Sequence, residues 1–285
     1  MLARSVTRCF LRVISSSTSS SFPTSFSSPS RTFLAAIIGS SLSSRSLCFT
    51  NNSSSDEENS QRMGSISQGT PSIVQPKGEH KATVIFLHGL GDQGHGWADA
   101  FKSEVRLDNT KVICPHSAER SVTLNMGMRM PAWYDLFGLD AAAREDDSGI
   151  SAAAQYVHSL IDAEIAAGIP ANKIIVGGFS MGGALAIYSG LTYSKTLGGI
   201  VGLSSFFLQR TKFPGSYTAN NSTKIFLGHG AADFLVPLSI GQLSEQLIKK
   251  FNPNVELHIY GSMAHSSCPQ EMRELAEFIK NAVIQ

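Results

Sequence analysis

Three residue types acting together can make a hydroxyl attack an acyl carbonyl: a serine, a histidine to take its proton, and a carboxylate to orient the histidine. The candidate serine is Ser180, inside Ile174-Ile175-Val176-Gly177-Gly178-Phe179-Ser180-Met181-Gly182-Gly183. A β-branched run enters a glycine turn, presents one serine, and passes directly into the helix-forming Ala184-Leu185-Ala186-Ile187-Tyr188. Such a strand–turn–helix corner, Gly178-x-Ser180-x-Gly182, exposes the hydroxyl and brings backbone N–H groups to the place where negative charge develops. The glycines permit the strained turn and let the helix start close to the strand. Asp233 and His265 follow further along the chain.

These residues need a scaffold, and the chain alternates strand and helix signals from residue 81 onward. Strands are predicted at 83–87, 111–114, over the β-branched run that begins at Ile174, and at 199–203, 225–227 and 255–260. Helices are predicted at 97–106, 148–167, directly after Ser180, 237–251 and 271–284, with 122–139 irregular and 213–221 a variable loop. This alternation predicts an α/β domain with a mostly parallel sheet and helices on both faces. In such sheets functional groups collect beyond the carboxyl ends of the strands. Four ends carry telling residues: His88-Gly89-Leu90-Gly91-Asp92, Ser180, Asp233 and His265. The chain order Ser, Asp, His is that of α/β-hydrolases.

His265 is the expected base, and a turn histidine beside Gly261 and Ser262 is the plain alternative. His258 falls in a strand, His158 in a helix, and His229 in a glycine turn just ahead of Asp233. Asp233 is the expected acid, with Asp92 and Asp135 as competitors. The oxyanion donors are expected to be the backbone N–H groups of Met181 and Leu90, where Gly89 and Gly91 give the loop its freedom. A phosphate cradle is rejected, because no lysine follows this loop and GxGxxG is absent. The methionines and aromatics from Met126 to Phe137 suit an apolar acyl site as well as a core, and Met126, Trp133 and Leu235 are the expected lining residues.

Composition narrows the remaining classes. The first 62 residues carry six arginines, no lysine and three acids, a net charge of +3; the rest carries seventeen basic and nineteen acidic residues, a net of −2. A mildly acidic body rejects nucleic acid as partner. Of four cysteines, Cys9 and Cys48 lie in the extension and Cys114 and Cys268 in the body, with no CxxC pair or His/Cys cluster at metal spacing; no metal or cofactor is expected. No apolar run is long enough for a transmembrane helix.

Residues 1–62 read as an extension, 63–80 as a lead-in arm, and 81–285 as the catalytic domain. Arg4, Arg8 and Arg12 fall on one helical stripe in a serine-rich stretch without acids before Asp56. That is the composition of an organelle transit peptide, mitochondrial by its arginines with the plastid left open by its serines, or of a disordered tail. Met63 begins a second possible start, and Gln68 stands where a myristoylation pattern has Ser or Thr, so no lipid anchor is expected.

Several further stretches resemble one family: Gly94-His95-Gly96-Trp97, Thr123-Leu124-Asn125-Met126, Glu145-Asp146-Asp147-Ser148-Gly149-Ile150, Leu235-Val236-Pro237 and His265-Ser266-Ser267-Cys268. With His88-Gly89-Leu90-Gly91-Asp92 and Gly177-Gly178-Phe179-Ser180, they are similar to the acyl-protein thioesterases of the lysophospholipase/carboxylesterase family. The resemblance runs from about residue 84 to the C-terminus. It implies an α/β-hydrolase fold without a large cap domain, a cytosolic enzyme, and nucleophile, acid and base at Ser180, Asp233 and His265. It also implies S-acylated proteins, lysophospholipids or small esters as substrates, with transient membrane-surface contact. Met181, Ala231, Phe234 and Phe207 depart from the family's usual residues and bear on acyl preference. A general carboxylesterase or lysophospholipase, and a ligand-binding receptor on a hydrolase fold, are the competing readings.

Overall fold

A computed structural model describes residues 66–140 and 142–283. The arginine stripe, the rest of the 1–62 extension and the first residues of the arm lie outside the described residues.

Seven strands form the central sheet: β1 (Ser72–Val74), β2 (Ala82–Leu87), β3 (Thr110–Cys114), β6 (Ile174–Phe179), β7 (Gly199–Leu203), β8 (Ile225–Gly230) and β9 (Val255–Tyr260). Their order is β1-β3-β2-β6-β7-β8-β9, with every neighbouring pair parallel except β1 and β3. β-Branched and aromatic residues fill β2 and β6, and both strands are buried along their whole length, as a sheet covered on both faces requires. Alternate side chains separate the two cores. Val84 and Phe86 join Trp97, Phe101, Leu275 and Ile279 on one face, while Ile85 and Leu87 join Ile150, Val157, Ile161 and Leu185 on the other.

Helices α1 (Gly94–Ala100) and α5 (Pro269–Val283) therefore cover the first face, and α2 (Asp147–Ala166) and α3 (Met181–Thr192) the second. A third cluster, with Ile187, Ile200, Leu227 and Val255, takes in Ile248 of α4 (Leu238–Lys249). The mostly parallel sheet with helices on both faces is the expected architecture, and no large cap is present among the described residues.

Four elements depart from the sequence reading. Residues 122–139 are not wholly irregular: β4 (Glu119–Val122) and β5 (Met128–Pro131) form a two-stranded antiparallel hairpin, in a stretch whose pattern lacks clean alternation because much of it faces solvent. The arm residues add β1 to the sheet edge by pairing Ser72 with Cys114 and Val74 with Val112. Helix α1 starts early, at Gly94, and passes into a π turn over Phe101–Val105. Strand β8 runs on through His229 and Gly230, so His229 lies in a strand and not in a turn. Glycine weakened that strand signal, but Gly230 is needed there: a Cβ would collide with the Met263 carbonyl.

Candidate active site

Ser180 stands at the end of β6, with φ 52° and ψ −121°, a backbone region unfavourable for a residue with a Cβ. Its surroundings hold it there. The Ser180 N–H donates to the Leu203 carbonyl at 2.8 Å, and the Ser180 carbonyl accepts from Ala184 N at 2.9 Å as α3 begins. A Cβ on Gly182 would overlap the carbonyls of Leu87 and His88, and one on Gly178 would press against Gly182 and Gly183. The helix thus starts nearly in contact with two strands, which only glycine at these positions allows.

The acid and base arrive on two loops tied to each other. Ala231 N donates to the Tyr260 carbonyl at 2.9 Å and Ala232 N to the Met263 carbonyl at 3.0 Å. This cross-tie fixes Asp233 relative to His265. His265 Nδ1 lies 2.8 Å from Asp233 Oδ2, and His265 Nε2 lies 3.0 Å from Ser180 Oγ. The other Asp233 oxygen accepts from the N–H groups of Leu235 (3.0 Å) and Val236 (2.9 Å). Burial alone would push the Asp233 carboxyl up. The hydrogen bond and charge of His265, the Val236 N–H and His229 outweigh it and hold the group below its ordinary value. Asp233 is thus kept as the anion, and it selects the His265 tautomer with the proton on Nδ1 and the lone pair on Nε2 toward the serine.

Of the competing residues, Asp135 and the three other histidines are engaged elsewhere, and Asp92 makes no bond to His265. Asp135 accepts from Thr123 N and Oγ1 at 2.7 and 2.6 Å. His229 is buried behind Asp233 and donates Nε2–H to the Val236 carbonyl at 2.8 Å, and burial holds its pKa down. His158 bonds the Ser189 carbonyl, and His258 pairs with Glu274.

The glycine loop after β2 closes the other side. Gly91 has φ 75° and its N–H donates to the Pro131 carbonyl at 2.8 Å. The fully buried His88 ring accepts from Ser117 N at Nε2 (3.0 Å) and so donates from Nδ1 to the Gly89 carbonyl (2.8 Å). Burial lowers the His88 pKa to about 4, so the ring is a neutral structural strut. Trp133 donates its indole N–H to the His88 carbonyl at 2.9 Å. Leu90 lies in this loop, and Met181 is the first residue of α3, where its N–H has no acceptor within the helix.

The expected lining residues separate. Trp133 is fully buried, so it braces the Leu90 loop from within and offers no face to a ligand. Met126 is 74% exposed at the tip of the β4–β5 hairpin. Leu235 is half-buried and holds Asp233 through its N–H. A cleft of mixed character instead runs between Leu136, Phe137 and Leu139 on one loop and Phe206, Phe207 and Leu208 on another, with Arg144, Glu145 and Arg210 also in its wall. Tyr134 joins it to the elbow through a 3.4 Å bond from its hydroxyl to the Met181 carbonyl. Phe206 and Leu208, in the wall of this cleft, are not among the expected lining residues. The run of apolar residues directly after β7, another strand end, was the available signal.

Residues 68–283 match the phospholipase/carboxylesterase family. The chain belongs to that family. Within it, the chain is 42% identical over 228 residues to acyl-protein thioesterase 1 of Neurospora crassa, covering 76% of this chain and 93% of that one. It is 38% identical over 213 residues to acyl-protein thioesterase 1 of Schizosaccharomyces pombe, covering 74% and 95%. Among solved structures, acyl-protein thioesterase 2 of Zea mays superposes with a TM-score of 0.69 at 34% identity, over 75% of this chain and 99% of that one. SOBER1 of Arabidopsis thaliana superposes at 0.67 and 28% identity, over 70% and 98%. The fold of this family member is thus the α/β-hydrolase fold.

Proposed function

We propose that the protein is a serine hydrolase that cleaves fatty-acyl thioesters, S-palmitoyl-cysteine in proteins foremost, and carboxylic esters by way of an acyl-enzyme. The hydrogen-bonded line Ser180–His265–Asp233, assembled from three separate strand ends, carries this reading. The acyl-protein thioesterase names of its relatives supply the substrate class.

Ser180 Oγ attacks the acyl carbonyl carbon while its proton passes to His265 Nε2. Asp233 stabilises the imidazolium that forms. The N–H groups of Met181 and Leu90 receive the oxyanion. Collapse of the tetrahedral intermediate breaks the bond to sulfur or oxygen, and His265 returns its proton to the leaving thiol or alcohol. Water then attacks the acyl-Ser180 ester with the same base, the fatty acid departs, and Ser180 regains its proton. No step draws on a group from outside the chain except water.

A second reading, a carboxylesterase or lysophospholipase for small esters or lysolipids, draws on the cleft itself. That cleft is small and shallow, a better match for a small ester than for a long acyl chain. Met126 and Met128 at the hairpin tip and Phe234 beside Asp233 are exposed apolar side chains suited to a passing contact with a lipid surface. We place this activity in the cytosol for a chain begun at Met63, with the arginine-rich extension directing an organellar form.

The deciding experiment compares kcat/KM on a palmitoyl-thioester peptide, a lysophospholipid and a short p-nitrophenyl ester, with Ser180→Ala alongside. Preference for the thioester peptide is expected, with kcat lowered on the order of 10⁵–10⁶ in the variant. Preference for the short ester with refusal of the long chain selects the second reading. Turnover that survives Ser180→Ala refutes the mechanism.

A further inference from the structure

Three acids are fully buried among the described residues: Glu164, Asp233 and Glu271. Glu164 bonds Thr83 and Lys111, and Asp233 bonds His265 and two N–H groups. Glu271 is different. It is 0% exposed, and neither carboxyl oxygen has a hydrogen-bond partner. An isolated buried carboxylate is costly, so the group is held as the neutral acid.

Its position gives the proton consequence. Glu271 is in the first turn of α5, six residues after His265, and its N–H points to Cys268 Sγ at 3.5 Å. The carboxyl lies against Gly228 of β8, where a Cβ would overlap Oε1, and β8 leads into Asp233 five residues on. The carboxyl is thus a wedge between the two segments that carry acid and base. Its surroundings are poor in compensating charge. Glu274, one turn on in α5, is the nearest acid, and it is engaged by Tyr260 and His258 of β9. The loop before α5 offers Cys268. β6 and β7 supply no titratable side chain, and His229 of β8 faces the opposite side, against Gly241 of α4. The π turn packed on α5 has only the exposed Lys102 and Glu104, and Lys173 sits near the other end of α5, which packs by Val283 against Gly198 and Asn172.

We infer that Glu271 is a proton-controlled positioning residue: as the neutral acid it keeps β8 packed on α5 and Asp233 in register with His265, and loss of its proton loosens that pair and sets the alkaline limit of activity. The inference rests on the proposed hydrolase reading for its activity readout only. Burial first, and then the charge of Glu274, raise the Glu271 pKa to about 8. The sign follows from linkage. The folded chain holds this proton more tightly than the unfolded chain, whose carboxyl titrates near 4.5. Stability contributed by the neutral group is therefore complete below that pH and is lost as pH rises through about 8.

The test is a pH profile of kcat/KM on a short p-nitrophenyl ester, with Ser180→Ala as blank. Wild type is expected to fall about tenfold per pH unit above the Glu271 titration, as a single ionisation dictates. Glu271→Gln, which cannot ionise, should keep its activity about a pH unit further into the alkaline range. An alkaline limb at the wild-type midpoint in that variant overturns the inference. Glu274→Gln removes the neighbouring charge and should move the limb the other way, to lower pH, which keeps the test open should Glu271→Gln fail to fold; an unmoved limb again overturns it. The low-field proton resonance of the His265–Asp233 hydrogen bond, followed in the same titration, should weaken with the limb in wild type and persist in Glu271→Gln. Because that resonance needs no turnover, it tests the inference even if Ser180→Ala shows that the hydrolase mechanism is wrong.

Discussion

The nucleophile elbow, which carries Ser180, and the segment from residue 119 to 146, which reaches it through Tyr134, are held by different means. The elbow is built from contiguous sequence: six buried residues of β6, a serine in a strained conformation, and a helix whose first turn touches two strands. The 119–146 segment is built from bonds between residues about a dozen apart. Thr123 donates twice to Asp135, Leu124 N donates to the Leu136 carbonyl, and Asp135 N donates to Asp146. The first region fixes where the bond is broken. The second braces the Leu90 loop and forms one wall of the neighbouring cleft. The elbow therefore depends on local backbone geometry, whereas the 119–146 segment depends on longer-range bonds that reach the Leu90 loop through Trp133.

The largest effect should come from breaking the elbow. In Gly182→Ala the new Cβ overlaps the Leu87 and His88 carbonyls, which are backbone and have little room to yield. Overpacking of this kind costs about 1–3 kcal/mol, and here it also displaces the serine. Activity should fall by orders of magnitude together with a lowered Tm. The matching change at the hairpin tip, Gly127→Ala, meets no atom within 4 Å and suffers only from the positive φ of 76°. It should cost about 1 kcal/mol and leave ester hydrolysis intact. Equal losses in the two variants would erase the distinction between the regions.

A smaller effect joins them. Trp133→Phe keeps most of the buried ring but removes the indole N–H that bonds the His88 carbonyl. A buried acceptor left unpaired costs about 1–3 kcal/mol. Because that carbonyl belongs to the loop bearing the Leu90 N–H, kcat should fall about tenfold or more with KM little changed, the pattern of a lost transition-state contact. A rise in KM alone would mean that Trp133 contacts substrate, which its full burial argues against.

The same contrast explains what the sequence made legible. Strands β6, β7 and β9 and the Ser180, Asp233 and His265 positions could be read because each rests on local pattern: β-branched runs, a glycine corner, and residues just past strand ends. The β4–β5 hairpin could not, since Met126, Met128 and the charged residues around them break any alternation. Trp133 and Met126 looked equivalent as apolar residues in an irregular stretch. One is fully enclosed and the other 74% exposed, and only the long-range bonds of the segment decide which. His88 similarly reads as part of a glycine loop, while its role as a neutral strut depends on Ser117, a distant N–H.

The smallest effect belongs to the hairpin tip, and it isolates the substrate side of the comparison. Met126 has a left-handed backbone, φ 55°, and its exposed side chain makes no part of either main core cluster. Met126→Asn retains a residue tolerant of that backbone and removes the apolar side chain. Stability should stay within about 0.5 kcal/mol of wild type, as for exposed positions generally. Hydrolysis of a soluble short ester should be unchanged, because this side chain is 74% exposed and takes no part in the Ser180–His265–Asp233 line. Hydrolysis of a palmitoyl-thioester peptide held on lipid vesicles should drop a few-fold, since the apolar tip no longer contributes to surface residence. If both substrates slow equally, the tip acts through the loop and the two regions are mechanically one. If neither slows, the exposed methionine plays no part in reaching the substrate.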